Sequence, residues 1–263
     1  MQKNGKRDSQ NNKISSPMWL FLSFMTAMVL WYILSIIPAT SRAFPNVIIV
    51  LENIKIMIDR GVLFKDIGSS LISVSAGYGL GFIIALPVAI LMAWYRPIRN
   101  IIDPWIQFVR NIPPLAYVPL IVIAAGVGRK PQIIVITIAT FLVMCVTIYQ
   151  GVKNVDETLI KAARVLGAKD KDIFIRVIAP ATLPFILTAL RLGSSVALTT
   201  LIAAESTGAF AGLGMRIRSL NNSFESAPML LYIILIGILG ISIEKLIRFL
   251  ESRLTSWQEK REI

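Results

Sequence analysis

Two arginines stand inside apolar stretches of this chain, Arg110 and Arg191. A cation held at such depth is costly, so it needs a partner, a route to the surface, or water. Arg191 lies eleven residues beyond Pro180, roughly 16 Å along a helix and so near the middle of a bilayer. Ser195 and Thr199 follow it by four and eight positions, with Ser194 and Thr200 beside them. Hydroxyls near a guanidinium on one helix edge could keep a path wet and draw an anionic solute along it. A plainer arrangement is also open. Arg110 extends its methylenes to the membrane surface, and Arg191 bonds to backbone carbonyls. No Asp or Glu lies deep in an apolar stretch; Asp66, Asp103 and Glu205 stand near the ends of theirs.

Other chemistry is excluded by what the chain lacks. It has no histidine, which removes histidine-ligated metals and histidine acid–base catalysis. Cys145 is the one cysteine and sits in an apolar run with no base near it in sequence. Neither a disulfide within the chain nor an activated thiol is expected. No Gly-x-x-x-x-Gly-Lys-Ser/Thr loop occurs, so this chain is not expected to hydrolyse ATP. No catalytic residue, metal or bound cofactor is predicted.

The second informative set lies in the polar stretch 151–179, between two long apolar segments. Asp156 is placed to cap a helix, with Glu157 in its first turn. Leu159, Ala162, Ala163 and Leu166 follow at helical spacing and form one apolar face. Gly167 is placed to end that helix in a left-handed turn. A second short helix is predicted from about Asp170, showing Ile173, Phe174 and Val177 on one face. Two alanines leave the first face shallow, so a groove of another protein could take it in. The alternative is an amphipathic helix lying on lipid headgroups.

The spacing of Ala162, Ala163, Gly167 and Pro180 resembles the cytoplasmic coupling loop in permease subunits of binding-protein-dependent ABC importers. Their pattern is Glu-Ala-Ala, three residues, Gly, nine residues, Ile, one residue, Leu-Pro. Here Lys161 stands for the Glu, Val177 for the Ile and Ala179 for the Leu. The run from Arg110 through Pro113, Pro114 and Pro119 to Leu120 likewise resembles the permeases of the nitrate, sulfonate and taurine group. So do Glu205 and the later Gly212-Leu213-Gly214. The resemblance implies that the latter set contacts a solute-binding protein or shapes an outer gate; a plain tight turn fits those glycines equally well.

These residues need elements to position them, and composition indicates what those are. The chain has 263 residues, of which 55% are hydrophobic and 16% charged, with a mean hydropathy of +0.70. A soluble domain of that composition could not cover itself with polar surface, so an integral membrane protein is predicted. Segments near 17–39, 67–94, 104–127, 131–150, 180–204 and 227–249 are apolar and close to the length of about 20 residues that spans hydrocarbon. Pro17 to Ala39 is longer than a signal core and has no clear cleavage site after it, so it reads as a retained first helix. The shorter apolar piece 46–58 reads as an interfacial helix on the first loop. The third span should be kinked at Pro113 and Pro114.

The net charge is +12. Most basic residues fall between spans, so they speak for orientation rather than nucleic-acid binding. Counting Lys and Arg in the loops, in the tails and in the last turns of the final span gives 17 on the side of both termini and the 151–179 loop, and 8 on the other. Positive charge stays in the cytoplasm, which places both termini and that loop there. Small residues recur every fourth position at Ser69, Ser73, Gly77, Gly81, Ala85, Ala89 and Ala93, and again at Ala189, Gly193 and Ala197. Such stripes let helices pack closely in lipid and say nothing of substrate.

The predicted fold is therefore all-α and integral to the membrane, with about six transmembrane helices. It is organised as a tail (1–16), a permease domain (17–250) with the 151–179 loop, and a second tail (251–263). The resemblance implies the transmembrane domain of a type I ABC importer with a cytoplasmic coupling helix. It implies a homodimer in the cell membrane, with separate ATPase subunits carrying ATP and Mg²⁺ and an extracytoplasmic solute-binding protein. The coupling residues would be Leu159, Lys161, Ala162, Ala163, Leu166, Gly167 and Pro180. Arg191, Ser195, Thr199 and Arg110 would line the path of a small anion, a taurine-like or other sulfonate first, with nitrate, bicarbonate or a vitamin precursor as alternatives. An ion-coupled secondary transporter would need deep carboxylates or inverted repeats, and neither is evident in the sequence.

Overall fold

The computed structural model describes residues 16–254. Every regular element among them is helical: α1 (Ser16–Ile36), α2 (Val47–Asp59), α3 (Leu63–Trp94), α4 (Arg96–Arg110), α5 (Pro114–Ala125), α6 (Arg129–Lys153), α7 (Glu157–Val165), α8 (Asp170–Ile173), a wide π turn (Phe174–Ile178), α9 (Ala179–Gly208), α10 (Leu213–Asn222) and α11 (Ser226–Leu254). Five helices are long and apolar enough to cross a membrane, or six when α4 and α5 are counted as one broken span. Helices satisfy their own backbone groups, which hydrocarbon cannot do for them.

α6 is the central strut, packed along α3 on one side and α9 on the other. The small-residue stripes make this contact. Ser73, Gly77, Gly81, Ala85 and Ala89 are buried on α3. A Cβ on Gly77 would lie 2.6 Å from that of Ile136, and one on Gly81 would meet the Thr140 hydroxyl. On the other side, a Cβ on Gly193 of α9 would run into Met144. Lipid tails are as apolar as leucine, so close backbone approach and van der Waals contact hold this core together. Ser73 adds a buried hydrogen bond, donated to Gln132 Oε1 at 2.8 Å.

The third span departs from the single kinked helix expected over 104–127. Two helices meet there at 102°. Pro113 and Pro114 offer no N–H, and a residue before proline is driven out of the helical region. Pro113, which precedes Pro114, is extended (φ −57°, ψ 133°). Residues 95–103, expected as a loop, are helical from Arg96, with a proline in the first turn where a missing donor costs little.

The fifth span is also longer than expected. α8, the π turn and α9 form a 39-residue helical rod, Asp170–Gly208. The second short helix predicted near Asp170 is therefore the first turn of that span. Pro180 accounts for the wide turn. It has no N–H for the carbonyl of Arg176, and Ala179 N–H bonds instead to Phe174 O, five residues back.

At the opposite end of the bundle from α7, a second core joins α2, α10 and α11 through Val50, Met57, Leu213, Leu220, Leu231 and Tyr232. The apolar piece 46–58, expected as an interfacial helix, forms the helix α2. Asn46 caps it by accepting from Ile48 N–H at 3.0 Å, while Ile48, Ile49 and Leu51 stay exposed. α1 turns its apolar side chains outward and is tethered where Trp31 Nε1–H donates to Pro45 O at 3.0 Å.

Candidate functional site

The loop between α6 and the fifth span is built by local chemistry that can be followed residue by residue. Asp156 accepts from Thr158 N–H at 2.7 Å and so fills one of the orphan donors at the start of α7. That hydrogen bond holds the Asp156 carboxyl below its ordinary range. Glu157 and Lys161 pair at 3.1 Å one turn apart. At the other end Gly167 has φ +83°. Its N–H bonds to Arg164 O at 2.9 Å, and Ala168 N–H to Ala163 O at 3.0 Å. These two bonds make a Schellman stop, which glycine adopts without Cβ strain. Arg164 reaches Asp170 Oδ1 at 3.6 Å across the turn.

α7 has two apolar edges, not the single face expected. Ile160 and Ala163 turn inward onto a small core of Val155, Ile173 and Ile178. Leu159, Ala162, Val165 and Leu166 turn outward. Val165 and Leu166 are each 87% exposed. Ala163 thus belongs to the seam that holds α7, while Ala162 and Leu166 belong to its free side. From that seam Phe174 continues to an edge-on contact with Trp94 at the end of α3, ring centroids 5.8 Å apart. Displacement of α7 would therefore bear on both α9 and α3. Pro180 lies one turn further along, at the start of α9.

The far end of α9 carries a second constellation. Glu205 and Asp66 are both fully buried. Ser70 donates to Glu205 Oε1 at 2.7 Å and accepts from Leu213 N–H at 2.9 Å. Gly214 N–H donates to Glu205 Oε2 at 2.8 Å. Asp66 accepts from Gly212 N–H at 3.1 Å, from Arg216 Nε at 2.8 Å and from the Tyr232 hydroxyl at 3.1 Å. The hydrogen bond to Asp66 raises the Arg216 guanidinium further above its ordinary value. Glycine is required in this turn. Gly212 has φ +143°, and a Cβ there would strike the Glu205 carboxylate. A Cβ on Gly214 would lie 2.7 Å from Ile202 O. The structure thus brings Glu205, Gly212 and Gly214 together. The sequence places Asp66 near the end of a span but assigns no role to it or to Ser70, Arg216 and Tyr232. The available signal was Asp66 and Ser70 one helical turn apart in an apolar span.

The residues expected to line a solute path are arranged differently from the expectation. Arg191 is not without an acidic neighbour, because it pairs with Glu251 near the end of α11. Glu251, expected in a tail, is delivered by α11, which continues as helix to Leu254. Ser195 and Thr199 lie on the exposed side of α9 together with Thr188. Thr199 returns its proton to the carbonyls of Ser195 and Val196 at 3.2 and 3.0 Å. Ser194 and Thr200 are buried on other sides. Arg110 is exposed at the last turn of α4, beside the break before α5, and makes no ion pair among the described residues.

Comparison with known proteins fits this architecture. A family described as binding-protein-dependent transport system inner membrane component matches residues 77–256. A probable ABC transporter permease protein of Brucella abortus is 44% identical over 239 residues, covering 91% of this chain and 95% of that protein. The taurine transport system permease protein TauC of Escherichia coli is 36% identical over 195 residues, covering 74% and 71%. Among solved structures, a chain of the inward-facing MetNI methionine ABC transporter superposes with a TM-score of 0.61 at 20% identity, covering 73% of this chain and 96% of that one.

Proposed function

The chain belongs to the family of inner membrane components of binding-protein-dependent transport systems, and from that premise we propose that it forms the translocation path for a small organic anion of the taurine or alkanesulfonate kind. At the coarser level it is a multi-pass permease subunit of an ABC importer, a translocating component and not an enzyme. Members of this family work with a separate ATPase and a solute-binding protein. ATP and Mg²⁺ are then held by the ATPase. A homodimer in the membrane is the assembly that fits one permease chain serving a paired ATPase. The lysine and arginine asymmetry, 17 against 8, supports a cytoplasmic position for α7 and both chain ends.

The observation that carries the reading is α7. Its two ends are fixed by a cap and a Schellman stop, and its outer edge shows Leu159, Val165 and Leu166 to solvent. A helix ordered so well with its apolar side chains unsheltered suits the groove of a soluble partner. When the ATPase pair closes, α7 moves, and its seam with Ile173 and Phe174 carries the movement into α9 and, through Trp94, into α3. The bundle then rocks between two packings, open to one side or the other.

The solute class rests on Arg110 and on the likeness to TauC. Since Glu251 balances Arg191, Arg110 is the cation left to meet an anion, and the hydroxyls of Ser195 and Thr199 offer a polar surface on α9. The test is reconstitution. The chain, its ATPase and its binding protein in liposomes should accumulate radiolabelled taurine or an alkanesulfonate when ATP is supplied. Accumulation of neutral or cationic solutes alone would overturn the solute class. Failure of the chain to retain any ATPase subunit would overturn the whole reading.

A further inference from the structure

The polar cluster at the α10 end has no part in the coupling just described, yet it contains two fully buried carboxylates. Burying such groups is expensive unless each oxygen is satisfied. Here all four carboxylate oxygens are. Asp66 Oδ1 takes Gly212 N–H and Asp66 Oδ2 takes Arg216 and Tyr232. Glu205 Oε1 takes Ser70 and Glu205 Oε2 takes Gly214 N–H. The donors come from α3, α10, α11 and the turn before α10. Ser69 extends the seam by donating to Ala211 O at 3.0 Å. Arg218, on the exposed side of α10, donates to the carbonyl of Ser206 on α9.

Apolar packing alone would let α10 slide over its neighbours. A fully satisfied network of directional bonds allows one arrangement and makes the joined elements move together. The outward side of α10, with Arg218, Ser219 and Asn221, remains exposed. We infer that Asp66 and Ser70 are positioning residues that bind the 209–222 segment rigidly to α3 and α9, so that a solute-binding protein seated on that segment acts directly on both spans. The inference rests on the importer reading above. It assigns to these residues the relay of the docking signal at the end of the bundle opposite α7.

The experiment uses the whole transporter in lipid nanodiscs, with ATP turnover measured without and with saturating solute-loaded binding protein. Wild type is the reference. If it retains no ATPase or shows no stimulation, the importer reading fails, irrespective of the cluster. In Asp66→Asn and Ser70→Ala the stimulated-to-basal ratio should fall by about fivefold or more, the lower end of ordinary coupling energies. Each variant's own basal rate serves as its denominator. Tyr232→Phe removes one bond and keeps the ring, so it should give a smaller fall in the same direction. An assembled Asp66→Asn complex with a wild-type ratio would overturn the inference. So would equal loss of basal and stimulated turnover in assembled complexes, or failure of all three variants to assemble, since either result assigns the cluster to folding alone.

Discussion

Arg191 on α9 and Glu251 on α11 form an ion pair between helices, sixty residues apart in sequence. The pair converts a cation that would otherwise be costly within a span into a brace between the two helices. It is partly wet, with the side chains 37% and 29% exposed, so its worth lies below that of a fully buried bridge. Arg191 Nε has no hydrogen-bond partner among the described residues, so the brace does not use the whole guanidinium.

A charge brace and a solute site respond differently to substitution. Arg191→Gln or Glu251→Gln alone removes the bridge between the two helices and should lower stability by about 1–2 kcal/mol, discounted from the buried-pair cost for exposure. The double variant should cost less than the sum of the two, with a coupling of about 0.5–2 kcal/mol. Thermal unfolding of the three variants in one detergent measures this cycle. Strict additivity would mean that the pair contributes nothing, and Arg191 would return to the candidates for solute contact.

The two edges of α7 give opposed expectations for neighbouring alanines. Ala162→Arg and Leu166→Glu place charge on the free edge, so the spans should unfold at the wild-type temperature while the ATPase subunit is lost on affinity purification. Ala163→Arg pushes charge into the seam with Val155, Ile173 and Ile178, so it should lower thermal stability as well. Retention of the ATPase by both free-edge variants would remove α7 as the docking element.

Gly167 tests whether the shape of the stop matters apart from its surface. At φ +83° a side chain costs about 1–2 kcal/mol, more for a β-branched one and less for Asn. Gly167→Val should therefore reduce coupled transport strongly, while Gly167→Asn should keep most of it. The ratio of uptake to ATP consumed is the measurement. Equal behaviour of the two variants would show that the left-handed turn is dispensable.

What the sequence made legible here was chiefly local. A cap at Asp156, a stop at Gly167 and a break at Pro113–Pro114 follow from the stereochemistry of single residues, and each lies where that chemistry put it. The stripe from Ser73 to Ala89 was legible because helical period and residue size suffice to define it. The 102° bend was not, since prolines locate a break while the packing of α4 and α5 against other helices sets its angle. Asp66 with Arg216, and Arg191 with Glu251, were invisible for a similar reason. The partners lie 150 and 60 residues apart, and no local pattern marks which of several charges will meet. The split of α7 into two edges depends on where Ile173 and Ile178 fall, which is a property of the π turn rather than of α7.

The proposed sidedness rests on charge alone and can be checked without function. A reporter fused after Arg261 should behave as cytoplasmic, and one inserted near Asn222, between α10 and α11, as extracytoplasmic. The excess of 17 basic residues over 8 motivates this assignment. The reverse labelling pattern would invert the bundle. It would place α7 outside the cell and remove it as a partner for an ATPase.

Arg110 is the sharpest test of the solute class. It closes α4 where the span breaks, is exposed, and has no ion-pair partner among the described residues. If it draws an anion into the path, charge matters more than shape. Arg110→Lys should then keep a substantial part of taurine or sulfonate uptake, and Arg110→Gln should lose about tenfold or more, the scale of one charge-assisted contact. Both variants should assemble with the ATPase and keep its turnover, because the residue is exposed at the end of α4 and is not among the residues of the seam that holds α7. Higher salt should weaken wild-type uptake more than the residual uptake of Arg110→Gln, since the variant has lost one attraction that salt screens. Unchanged uptake in an assembled Arg110→Gln transporter would show that this arginine merely reaches to the membrane surface. The proposed anion would then rest on the likeness to TauC and on the hydroxyl face of α9.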